Sequence, residues 1–94
     1  MIARIEETDK SHLYYLIVEN VGSGHARKIM IYLDDKPIAE HPSNFNKNKN
    51  PEDIGPHSLT KWYLCQTSDR RLPSKIAINW EDASGQPGKY TTTL

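Results

Sequence analysis

Cysteine is nearly missing from this sequence: Cys65 stands alone in 94 residues. No internal disulfide can staple the chain, and no cysteine pair exists to bind zinc. Cys65 falls in a run of large apolar residues and reads as a small core residue. One cysteine leaves the compartment open, since disulfide-poor β-domains suit the cytosol and many bacterial surface proteins alike. Net charge is also missing, with 12 Lys and Arg against 12 Asp and Glu. This argues against general nucleic-acid binding, which needs a basic face to release counterions. It argues equally against an acidic solvating tail. Long apolar runs are absent too. The longest, Leu13 to Val18, stops far short of the roughly 20 residues that span a bilayer, so no membrane insertion is expected. No basic-then-apolar leader opens the chain. Strand-like sequence begins at once after Met1, an abrupt start that reads as a domain within a longer protein.

Helix-period amphipathicity is absent as well. What the chain has instead is short β-branched and aromatic runs separated by turn residues. Ile2 to Glu6 alternates apolar and polar and reads as an edge strand. His12 to Asn20 is the strongest strand. Tyr14, Leu16 and Val18 point one way, and Leu13, Tyr15 and Ile17 the other. Both faces are apolar, which predicts a central or doubly covered strand. Asn20-Val21-Gly22-Ser23-Gly24 ends it in a turn, with Asn20 placed to bond backbone groups. In Arg27 to Leu33, the inward set is Ile29, Ile31 and Leu33. Asp34 to Pro37 turns the chain, and Pro37 confines Ile38-Ala39 to an edge or a crossing.

A long polar loop follows, from His41 to His57. Ser58 to Cys65 resumes strand character, with Leu59, Trp62 and Leu64 as packers. Lys75 to Trp80 places Ile76, Ile78 and Trp80 inward. Asp82 to Gly88 is a hairpin loop, and Lys89 to Leu94 closes the chain. The pattern predicts a single all-β domain over residues 1–94, an immunoglobulin-like sandwich of about seven antiparallel strands. The segment near Ile38 would be the seventh.

Three segments carry a family likeness. Val18, Asn20, Gly22 and Ala26, followed by Ile29 to Leu33, form a V-x-N-x-G-x-x-x-A segment. Ile54-Gly55-Pro56-His57-Ser58 supplies a Pro/Gly turn before the next strand. Ile76 to Gly85 supplies a penultimate strand and its hairpin. Together they resemble CARDB-like immunoglobulin-like domains of bacterial and archaeal proteins, over roughly residues 12–94. The resemblance implies an accessory, adhesion, spacer or assembly module of a larger protein, at the cell surface or otherwise outside the cytoplasm. The long loop departs from that pattern.

Chemical motifs are few. The four histidines, His12, His25, His41 and His57, lie at strand ends or loops without close metal-ligand spacing. His41 and His57 bracket the long loop and, with Glu40 or Asp53, could form a zinc site of a metal-dependent enzyme or sensor. Surface histidines are the simpler reading. Acidic residues come in adjacent pairs, but neighbours on a strand face opposite ways. No calcium-loop pattern is present. No G-x-S-x-G occurs, and Gly22-Ser23-Gly24 precedes no helix. Trp62 and Tyr63, beside Lys61, Arg70, Arg71 and Lys75, could stack on bases; a solvated face over core aromatics is favoured.

The expectation is therefore a domain that is not an enzyme and needs no cofactor. It would bind a protein or carbohydrate partner, or pair with itself through an outer strand, Ile2 to Glu6 or Lys89 to Leu94. Loops on a rigid sandwich usually carry binding. The residues singled out are Phe45, with Asn44, Asn46, Lys47 and Lys49. Phe45 would either plug one end of the sandwich or anchor a partner.

Overall fold

A computed structural model describes residues 1–44, 48–69 and 71–94. Eight strands occur among them. β1 is Ile2–Glu7, β2 Leu13–Glu19, β3 Ala26–Leu33, β4 Lys36–Pro37, β5 Asp53–Ile54, β6 Leu59–Cys65, β7 Lys75–Glu81 and β8 Pro87–Thr93. One antiparallel sheet has the order β1-β2-β6. The other has the order β4-β3-β7-β8, with β5 pairing the start of β3. The chain changes sheets after β2, after β5 and after β6. That is the immunoglobulin-like sandwich, with strands far apart in sequence brought side by side.

Alternation builds the core. Leu16 and Val18 from β2, with Trp62 and Leu64 from β6, face Ile29, Ile31 and Leu33 from β3 and Ile76 and Ile78 from β7. β2 is central in its sheet, as its two apolar faces predict. Ile17 is only 1 % exposed although it lies on the outer face. Its direct neighbours across the strands are Arg4 and Lys61, whose aliphatic stems suit covering it while their charged heads stay wet. Arg4 is tied down by ion pairs to Glu6 and Glu19.

The structure departs from the sequence expectations at several places. Cys65 is half-buried on the face opposite Trp62 and Leu64, not a core residue, and the expected loop from His41 to His57 contains the short strand β5. Leu59 does not pack inward but stands 45 % exposed. Its odd position puts it on the face opposite Trp62 and Leu64, as strand parity requires. Ile38 is not a strand residue: Ile38–Glu40 forms a single 3-10 turn, with Ile38 fully buried. Pro37 has no N–H to extend a ladder, so β4 stops there. The last strand begins at Pro87, two residues before the expected start, which shortens the hairpin loop to Asp82–Gln86.

Turn chemistry closes the ends. Asp34 and Asp35 both have positive φ, 50° and 67°, while Leu33 pairs with Lys36. This is a two-residue hairpin whose backbone twist matches its strands. Asn20 is buried; its Nδ2 donates to the carbonyls of Gly24 and Ile54 at 2.8 and 2.9 Å. Its Oδ1 accepts from the Gly22 N–H at 3.0 Å. One side chain thus closes the β2–β3 turn and ties it to β5. Asn20→Ala leaves those groups without partners and should cost about 2–3 kcal/mol. Urea unfolding checks it: a loss under about 0.5 kcal/mol would mean water replaces all three bonds.

Candidate functional site

The most chemistry-like cluster lies at the β3–β4 end. Asp34 Oδ1 accepts from the Ser74 N–H and hydroxyl and from the Lys75 N–H, at 2.9, 3.0 and 3.0 Å. Its Oδ2 lies 3.2 Å from His41 Nε2. On the other side of the ring, Nδ1 meets the Ser43 hydroxyl at 2.7 Å and accepts from the Ser43 N–H at 3.2 Å. An N–H can only donate, so Nδ1 carries the lone pair and Nε2 carries the proton donated to Asp34. Burial pushes the Asp34 carboxyl up. The bonds from Ser74, His41 and Lys75 outweigh it and hold the group below its usual range.

Serine, histidine and aspartate in a row resemble an acyl-transfer triad. Ser43 is fully buried, however. It does not line the adjacent cleft of about 300 Å³, which is bordered by Asp34, His41, Asp69 and Arg71. A nucleophile must reach its substrate and have oxyanion donors beside the reacting atom. Ser43 does not reach one, and its carbonyl takes the Cys65 N–H at 2.9 Å. The cluster joins the 41–44 turn, the β3–β4 hairpin, β6 and the start of β7.

The two histidines that bracket the loop do not meet. His41 sits with Asp34 beyond the C-terminal end of β3. His57 follows β5, which pairs with the N-terminal end of β3 at Ala26. The length of a strand separates them, because the loop runs back along β3: Asn50 Oδ1 accepts from the Ile31 N–H. Among the described residues no group of three or more His, Cys, Asp or Glu is placed to hold a metal. The acidic pairs Glu52-Asp53 and Glu81-Asp82 share one cleft with Arg27 and Lys28. Three of these four carboxylates have protein partners. Asp53 meets His25, Glu81 meets Lys28, and Asp82 closes its own turn through Ser84 and Gln86. The Ser84 hydroxyl first, and then these N–H groups, hold the Asp82 carboxyl low.

The loop residues singled out from sequence divide. Asn44 is fully buried and its Nδ2 donates to the carbonyls of Ile38 and Asn48. It braces the loop and offers no polar group to solvent. Lys49 is exposed. Phe45, Asn46 and Lys47 lie outside the described residues.

A second surface is the outer face of the β1-β2-β6 sheet. An outer face of an antiparallel sheet is ordinarily polar. Here Tyr15 on β2 and Tyr63 on β6 stand directly opposite each other. Their ring centroids are 4.9 Å apart, tilted by 42°, and their hydroxyls are 3.3 Å apart. Lys61 Nζ sits 5.0 Å from the Tyr15 ring centre, within cation–π range. The bond to Tyr63, the charge of Tyr63, burial and the Asp9 charge all raise the Tyr15 hydroxyl pKa. Tyr63 is 41 % exposed; Leu59 and Ile2, exposed on the same face, flank Glu19 four residues further along the strands. Strand parity puts Tyr15 on the face away from Leu16 and Val18 and Tyr63 on the face away from Trp62 and Leu64. It could not reveal that residues 48 apart would be opposite neighbours.

A family profile described as "Domain of unknown function (DUF8453)" matches residues 1–94. No curated protein and no solved structure gives a significant match.

Proposed function

Because the chain belongs over its whole length to the DUF8453 family of unknown function, we propose, from its surface, a non-catalytic accessory domain that recognises a protein or carbohydrate partner. The contact surface is the outer face of the β1-β2-β6 sheet. One observation carries this reading: the Tyr15–Tyr63 pair, with the Tyr63 ring exposed and Lys61 above Tyr15. Tyrosines present large, stiff, amphipathic area and recur where partners dock. The fold needs none of that area for its core. The resemblance to CARDB-like domains points to the same kind of attached module, and under this proposal the chain serves a larger protein.

Wild type and a Tyr63→Ala, Leu59→Ser double variant, screened against glycan and peptide arrays, test the reading. Wild type should bind within one class, and the variant should lose at least about tenfold, the loss of one interface anchor. Equal binding by both proteins would sink it.

Self-pairing through outer strands is a second reading, because β1 and β8 do lie at sheet edges. Both carry features that discourage pairing: Arg4, Glu6 and Glu7 on β1, Pro87 and Lys89 on β8. Light scattering over a wide concentration range decides. A mass that climbs with concentration would favour assembly; a constant monomer mass would exclude it.

A further inference from the structure

The aromatic pair is one wall of a cleft of about 310 Å³, whose other wall is the β1–β2 loop: Thr8, Asp9, Lys10, Leu13, Tyr15 and Tyr63 border it. That volume is at the small end of ligand sites and suits a single ring. The loop wall is already ordered. The Thr8 hydroxyl donates to the Leu13 carbonyl at 2.8 Å and accepts from the Lys10 N–H at 3.1 Å. The Leu13 N–H returns to the Lys10 carbonyl at 3.2 Å. Thr8 is therefore spent on the loop, while the side chains of Asp9 and Lys10 are exposed. Neither has an ion-pair partner among the described residues. Asp9 is near enough for its charge to act on Tyr15.

These groups define a ligand. Asp9 accepts, Lys10 donates, and the two tyrosine hydroxyls do both. An anion would meet Asp9 and a cation would meet Lys10, so neither sign is favoured. A wholly apolar ligand would strip water from four polar groups without replacing their bonds. A hydroxyl donates and accepts at once and satisfies every one of them. The exposed Tyr63 ring adds a flat, electron-rich face for polarised C–H groups. We propose that this cleft binds one pyranose ring of a neutral polysaccharide. Tyr63 is the platform, Tyr15 is the side wall, and Asp9 and Lys10 hold ring hydroxyls. The proposal rests on the recognition reading above and names its ligand class.

The test is an amide NMR titration of the whole chain with cellohexaose, xylohexaose, mannohexaose and maltohexaose. A site of this size should give a dissociation constant of about 1 mM. The expected result is that at least one sugar shifts residues 8–15 and Tyr63. Tyr63→Ala should weaken binding at least about tenfold, and Asp9→Ala roughly tenfold. Tyr63→Phe, which keeps the platform, should stay within about threefold, the worth of one weak hydrogen bond. The amide spectrum of each variant reports its fold independently. No shift with any of the four sugars, or an affinity unchanged in Tyr63→Ala, overturns the proposal. The same titration with array-selected peptides separates the two failures. Peptides that bind this face where sugars do not would overturn the sugar and leave the recognition module standing. Binding of neither class would overturn both.

Discussion

Asp34→Ala should lower stability by about 3 kcal/mol, measured by urea unfolding at neutral pH. The carboxylate accepts from Ser74, Lys75 and His41 together. Its loss leaves those donors without an acceptor, together costing about 2 kcal/mol where water partly replaces it. Position 34 also has φ 50°, a conformation that costs alanine about 1 kcal/mol more. For a domain of this size the sum lowers Tm by roughly 10–20 °C. The loss should appear as one cooperative transition, because Asp34 ties the β3–β4 hairpin to the start of β7 and, through His41 and Ser43, to β6 of the other sheet.

Asp34→Asn separates charge from shape, since asparagine tolerates positive φ. The folded carboxyl is held below its usual range. Its charge therefore contributes stability that is fully present above the unfolded value of about 3.9. That contribution is lost as pH falls through the lower folded value. The gap between wild type and Asp34→Asn should be constant above about pH 5 and close below about pH 4. A gap independent of pH would show that the charge contributes nothing.

Gly88→Ala should cost about 2–3 kcal/mol, the upper part of the range for overpacking. Gly88 lies directly across from Trp80. A Cβ there would fall inside the indole, 2.5 Å from Cζ2 and Nε1. Glycine inside a strand usually weakens it, and here it makes room for a ring. Two controls isolate the clash. Gly24→Ala meets nothing within 4 Å and should change stability by less than about 0.5 kcal/mol. Gly88→Ala combined with Trp80→Leu should cost less than the two single changes added, because the shorter side chain frees the space. Near-ultraviolet circular dichroism of Gly88→Ala should report a displaced indole. An unchanged tryptophan band together with unchanged stability would contradict the packing.

Much of this fold is local and hence legible. The inward sets of β3 and β7 follow from alternation alone, and Asn20 follows from its place before Gly22 and Gly24. Asp34 and Asp35 were legible as a turn, but not as the acceptors that hold β7. Leu59 could have been assigned outward by counting parity from Trp62. Trp80 was legible as inward, whereas Gly88 as its seat was not, because the hairpin loop is shorter than its residues suggest.

The sequence by itself determined an all-β sandwich, its central strand, most inward residues and the chemistry of its turns. Each depends on neighbours within a few positions along the chain, where side-chain alternation and backbone preference act. Only the tertiary structure decided the surfaces. It set Tyr15 against Tyr63, gave His41 to Asp34 rather than His57, and buried Asn44 in its own loop. Those pairings depend on strand register and on where crossings land, and both are settled by burying the whole core at once.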